Sequence, residues 1–111
     1  MAPAVREYLD KDGESPFARW FEGLDAVAAA KVGTALYRLE QGNFSRVESV
    51  GGGVYKCKIH FGPGYRVYFG KEGEDLVILV GGGSKKRQNA DIAAALVRWQ
   101  DYKRRKRQEV T

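Results

Sequence analysis

Apolar and polar residues alternate strictly along YKCKIHFGPGYRVYFG, residues 55–70, and this pattern predicts a β-hairpin. Tyr55, Cys57, Ile59 and Phe61, with Tyr65, Val67 and Phe69 on the return, fall on one face. Lys56, Lys58, His60, Arg66 and Tyr68 fall on the other. Keeping Phe61 and Tyr65 on a common face makes Gly62, Pro63 and Gly64 the loop, which sets His60 opposite Arg66 and Lys58 opposite Tyr68.

The remaining patterns supply one short strand, two helices, a buried strand and a last helix. Val5 to Leu9 reads as a strand stopped by Asp10, Lys11, Asp12 and Gly13. Ser15 followed by Pro16 is a helix start, Phe17, Trp20, Phe21 and Leu24 follow at helical spacing, and Gly23 reads as the stop of this short helix. Asp25 caps a longer helix reaching Gln41, with Ala28, Val32, Ala35, Leu36 and Leu39 as its inner stripe. Gly51 to Gly53 read as a flexible lead into the hairpin. Leu76 to Val80 is an uninterrupted apolar run, expected of a strand covered on both faces, and Gly81 to Gly83 read as the loop that leaves it. A last helix from Asn89 to Lys103 turns Ile92, Ala95, Leu96, Trp99 and either Tyr102 or Lys103 inward. The order is β-α-α-β-β-β-α, an α+β fold with a small, largely antiparallel sheet packed against helices. One domain over residues 1–103 follows, with 104–111 as a basic, disordered tail.

Composition agrees with a folded domain: 43% hydrophobic and 12% aromatic residues in 111 suffice for one core without staples. One Cys and one His exclude a disulfide framework and a zinc ligand set, so no cofactor is expected. Cys57, on the apolar face, reads as a small buried hydrophobe. No run approaches the roughly 20 apolar residues of a membrane span, and the N-terminus lacks an apolar signal core, so a cytoplasmic protein without a membrane partner is expected.

Charge changes the picture more. Nineteen Lys and Arg against 14 Asp and Glu leave a net +5, which favours polyanionic partners. Lys56, Lys58 and Arg66 on one hairpin face repel one another, a cost that an anion would relieve. Gly81 to Arg87 places Ser84, Lys85, Lys86 and Arg87 just before a helix, where backbone N–H groups and cations can meet a phosphate. Lys103 to Arg107 is an unbroken run of cations that adds non-specific affinity for nucleic acid.

The stretches LEQGNFSRVESVGGGVYKCKIHFGPGYRVYFG, LVILVGGGSKKRQNADI and WQDYK resemble the RelE/ParE/HigB superfamily of toxins from type II toxin–antitoxin systems. The likeness is to its addiction-module killer branch, with GPGYRVYF as the most specific segment, and it spans about Phe17 to Lys103. It implies a RelE-like fold, a toxin neutralised by a small helix-turn-helix antitoxin, and a complex of the two that represses its own operator DNA. Two activities occur in the superfamily: ribosome-dependent mRNA endoribonuclease, and non-enzymatic inhibition of DNA gyrase. A degenerate toxin acting only in antitoxin and operator complexes is a further alternative. The nuclease pattern matches Lys56 and Lys58 on one strand, Arg66 on the next, and Lys85, Lys86 or Arg87 after the last strand. Tyr102, inside the last helix, does not match the tyrosine that RelE-like members carry near the C-terminus.

RNA cleavage without metal needs a base for the 2′-OH proton, cations for the charge on phosphorus, and an acid for the leaving 5′-oxygen. The nucleophile comes from the RNA, so no Ser or Cys is required. Arg66 suits the phosphate clamp, since its fork is planar and always charged. Either Lys56 or Lys58 serves as base while the other stabilises charge. His60 is a candidate acid or base, and Tyr68 a candidate stacking platform for a nucleobase. An acidic antitoxin segment laid along Lys56, Lys58 and Arg66 would block this face.

Overall fold

The alternating segment forms the centre of a five-stranded sheet with helices on both faces. In the computed structural model, which describes residues 2–109, the strands are β1 (Ala4–Glu7), β2 (Val47–Gly51), β3 (Val54–Ile59), β4 (Tyr65–Glu72) and β5 (Leu76–Ser84). They lie in the order β1-β5-β4-β3-β2, with β1 parallel to β5 and every other pair antiparallel. The helices are α1 (Pro16–Glu22), α2 (Ala26–Glu40) and α3 (Gln88–Glu109), the last preceded by a 3-10 turn over Lys85–Arg87. This is an α+β architecture.

Both early helices start where the sequence expects. The Ser15 hydroxyl accepts the Ala18 N–H at 3.0 Å, with Pro16 in the first turn, and the Asp25 carboxylate accepts the Ala28 N–H at 2.8 Å. α2 then buries Ala28, Val32, Ala35 and Leu39. These pack with Phe17 of α1 against Cys57, Ile59, Val67, Phe69, Val77 and Leu79 of the sheet. The opposite sheet face, with Val54, Tyr68, Ile78 and Val80, is closed by Ala95 and Trp99 of α3 and by Tyr8.

Several details differ from the sequence reading. β2 is an additional strand, so the order is β-α-α-β-β-β-β-α. Gly52 and Gly53 form the tight turn between β2 and β3, where Gly51 pairs with Val54, and the φ of Gly51, Gly52 and Gly53 are 95°, 61° and 84°, which glycine alone adopts readily. Gly81 to Gly83 belong to β5, because large side chains occupy the space a Cβ would need. A methyl on Gly82 would lie 2.2 Å from the Trp20 ring, and one on Gly83 would lie 1.9 Å from the Asp91 carboxylate. The run 104–109 continues α3 instead of forming a disordered tail. Asp101 bonds both Arg104 and Arg105, one turn further on, and Tyr8 donates to the same carboxylate at 2.6 Å. Residues 110–111 of the expected tail lie outside the described residues. No helix of the described residues is long and apolar enough to cross a membrane.

Candidate anion-binding site

The hairpin keeps the expected faces but shifts its register by two residues. Lys58 pairs with Arg66, Lys56 with Tyr68, and Ile59 with Tyr65, so the loop is His60 to Gly64. Phe61 turns out of the ladder by donating its N–H to the Ile59 carbonyl, and Gly64 N–H closes a turn on the Phe61 carbonyl, both at 3.0 Å. His60 therefore does not face Arg66. Nor is the polar face wet throughout: α3 covers it, leaving Arg66 9% and Tyr68 0% exposed.

Burial brings in a residue the sequence reading overlooked. Gln88, the first residue of α3, accepts from Lys56 Nζ and from Arg66 Nε on one amide oxygen, at 2.9 Å each. A single neutral oxygen thus sits between two cations, where a phosphate oxygen would be held more strongly. Nothing in the sequence marks Gln88, since its role depends on α3 starting directly over Lys56 and Arg66.

The 3-10 turn stands beside this cluster. Lys85 N–H donates to the Gly64 carbonyl at 2.7 Å, which fastens the hairpin loop to the start of α3. A shallow cavity of about 280 Å³ is lined by Lys85, Lys86, Arg87, Gln88, Asn89 and Ala90. It contains three cations and no acid, at the N-terminus of a 22-residue helix whose first N–H groups carry partial positive charge. Gln88 thus joins two cationic groups, bonding Lys56 and the buried Arg66 while lining the cavity with Lys85, Lys86 and Arg87.

The other expected residues are placed elsewhere. Lys58 is paired with Glu48 of β2 at 3.0 Å, and this ion pair holds the Glu48 carboxyl below its usual range. Tyr68 is sealed under α3, so its ring is not available to stack on a base. Its hydroxyl and Asp91 Oδ2 are buried and have no hydrogen-bond partner among the described residues. Burial, with the neighbouring Asp91 charge, pushes the Tyr68 hydroxyl up to about 12, and burial likewise raises Asp91. Tyr102 stacks on Trp99 with ring centroids 5.3 Å apart and belongs to the packing of α3. Burial also raises the Cys57 thiol, which makes it a poor nucleophile.

His60 is exposed and lines a second cavity, also about 280 Å³, between α2 and the end of β3. Lys31, Arg38, Arg46 and Lys58 line it too, with Phe61 at its wall.

No family model matches the chain. The chain is 40% identical over 80 residues to a protein of Haemophilus influenzae described as uncharacterized, a match covering 71% of this chain and 81% of that protein.

Proposed function

We propose a function for this chain, which belongs to one family with the uncharacterized Haemophilus influenzae protein: it is the toxin of a type II toxin–antitoxin system, with a RelE-like fold, acting as a ribosome-dependent mRNA endoribonuclease in the cytoplasm. The observation that carries the reading is the Lys56–Gln88–Arg66 bridge beside the Lys85–Arg87 turn. Lys56 and the buried Arg66 converge there on one neutral oxygen next to three exposed cations, and the acids nearest to them, Glu48 across the strand from Lys56 and Asp91 in the first turn of α3, do not line the cavity at the turn. The resemblance of GPGYRVYF and of the flanking segments to RelE/ParE/HigB toxins supports it. So does the strand order, with the hairpin at the centre of the sheet and α3 crossing its polar face.

In this reading a phosphodiester displaces the Gln88 oxygen and is clamped by Arg66, while Lys56 takes the 2′-OH proton or holds charge on phosphorus. The 2′-oxygen, having lost its proton, bonds to phosphorus as the bond to the 5′-oxygen breaks, and the departing 5′-oxygen takes a proton from water, leaving a 2′,3′-cyclic phosphate and a 5′-hydroxyl. Lys85, Lys86 and Arg87 hold the neighbouring phosphates. A helix-turn-helix antitoxin that lays an acidic segment over these cations would block the site and link the toxin to operator DNA.

One observation favours a second reading, ParE-like inhibition of DNA gyrase without cleavage. His60 stands away from the cluster, and Tyr68, although it pairs with Lys56 across the hairpin, is sealed under α3, which leaves the cluster rich in anion-binding groups and poor in accessible groups that transfer protons. Induced expression in a bacterial host tests the shared premise. Growth arrest relieved by co-expressing the neighbouring helix-turn-helix protein is expected; a host that grows normally with abundant folded protein would overturn the toxin assignment.

A further inference from the structure

The second cavity is a cationic groove that the cluster around Gln88 does not use. Arg38 comes from α2, Arg46 from the loop before β2, and His60 from the hairpin loop. Arg38 and Arg46 are exposed, and neither forms an ion pair with an acid among the described residues. Lys31 lies over the Phe61 ring at 5.5 Å, a cation–π contact that leaves its charge at the groove. Thr34, Asn43 and Ser45 add hydroxyl and amide groups to the wall, and no carboxylate lines it. Such a set suits phosphates and sugar hydroxyls along a strand.

The hairpin loop connects the two surfaces. Its last residue, Gly64, accepts from Lys85 and lies against Arg66, while its first two, His60 and Phe61, line the groove. The two surfaces lie on opposite faces of the sheet, and a flexible polyanion held at Lys56 and Arg66 would pass around the Gly62-Pro63-Gly64 tip to reach Arg38 and Arg46. A base-sized aromatic, Phe61, stands half-buried at that crossing. An acidic peptide would satisfy the charges equally, but the hydroxyl and amide lining with an aromatic wall matches a ribose-phosphate chain better.

We infer that this groove between α2 and β3 binds single-stranded RNA, as the continuation of the strand whose phosphodiester sits at Lys56 and Arg66. The inference rests on the nuclease reading. Fluorescence anisotropy with uncleavable 2′-O-methyl RNA tests it, using a trinucleotide, which fills only the first surface, and a dodecanucleotide, which can fill both. The dodecanucleotide is expected to bind R38A/R46A at least about tenfold more weakly than wild type at low salt. The slope of log affinity against log salt should also fall by about 1.4, since each phosphate contact on a single strand contributes about 0.7. Trinucleotide binding should be unchanged in R38A/R46A and lost in K56A/R66A.

Unchanged dodecanucleotide affinity and slope in R38A/R46A, with K56A/R66A still defective, would overturn the groove and leave the nuclease reading standing. A wild-type protein that binds neither RNA would overturn both. A decaglutamate peptide that binds wild type more tightly than the dodecanucleotide, and loses its affinity in R38A/R46A, would assign the groove to an acidic protein partner instead. Arg38 and Arg46 are exposed, so the double variant should fold, and an unchanged thermal midpoint would verify that.

Discussion

Removing the Gln88 side chain should unsettle the cationic pair in a way that anions repair. In Q88A, Lys56 Nζ and Arg66 Nε both lose their acceptor at 2.9 Å. Lys56 is half-buried and regains water; Arg66 is 9% exposed and regains little. A hydrogen bond to a charged group contributes about 1.5–3 kcal/mol net, and the loss at Arg66 should be felt nearly in full, for a total of roughly 2–3 kcal/mol. In a domain of this size that lowers the melting temperature by about 8–12 °C. An anion can then occupy the vacated position and bind both cations without competing with the amide. At a hundredfold excess over its dissociation constant it would return about 2.7 kcal/mol. Differential scanning calorimetry of wild type and Q88A, with and without sulfate at constant ionic strength, measures both effects. Sulfate should raise the midpoint of Q88A several degrees more than that of wild type. Equal midpoints without sulfate, or equal shifts with it, would refute the idea that Gln88 stands in for an anion.

Other consequences concern the polar groups and glycines under the helices. Because burial raises the Asp91 carboxyl, the native state binds its proton more tightly than the unfolded chain does; stability from this residue is present at acid pH and lost as pH rises from about 3.8 through the raised native value. D91N should therefore be the more stable protein at pH 8, by about 1 kcal/mol in urea unfolding, with the advantage vanishing towards pH 4. Tyr68 has an unpartnered hydroxyl raised to about 12, so Y68F should match or exceed wild-type stability at pH 7 and should lose less stability than wild type between pH 10 and 12. The same variant should retain toxicity, since the ring is sealed from solvent. G82A places a methyl inside the Trp20 ring and should cost about 1–3 kcal/mol, read from the chemical denaturation midpoint.

The central hairpin was legible because alternation alone assigns faces, and the shifted register kept the same parity: Tyr55, Cys57 and Ile59 still share a face with Tyr65, Val67 and Phe69. The shift itself was not legible. It arises because Phe61 leaves the ladder to bond the Ile59 carbonyl, a choice that alternation does not record. Gly81 to Gly83 looked like a loop since three glycines offer no side chain to pack; they are strand because Trp20, Asp91 and Arg98 fill the space above them. The basic run after Lys103 looked like a tail because like charges repel along a helix. Asp101 offsets that through Arg104 and Arg105, and Glu72 lies near Lys106. Of the candidate site, Lys56 and Arg66 were readable as cations on the polar face of the hairpin and Lys85–Arg87 as cations just before the last helix, and in the structure Gln88 joins the two groups. His60, Lys58 and Tyr68 were assigned from face parity, which does not reveal that α3 covers Tyr68, that Glu48 holds Lys58, or that the loop turns His60 towards α2.

The most direct test of the nuclease assignment is mapping of mRNA 5′-ends after brief induction in growing cells, for wild type and for K56A/R66A. New ends inside translated codons that disappear in the double variant are the predicted result. Growth arrest by wild type with intact mRNA would contradict it and place the target among proteins such as gyrase.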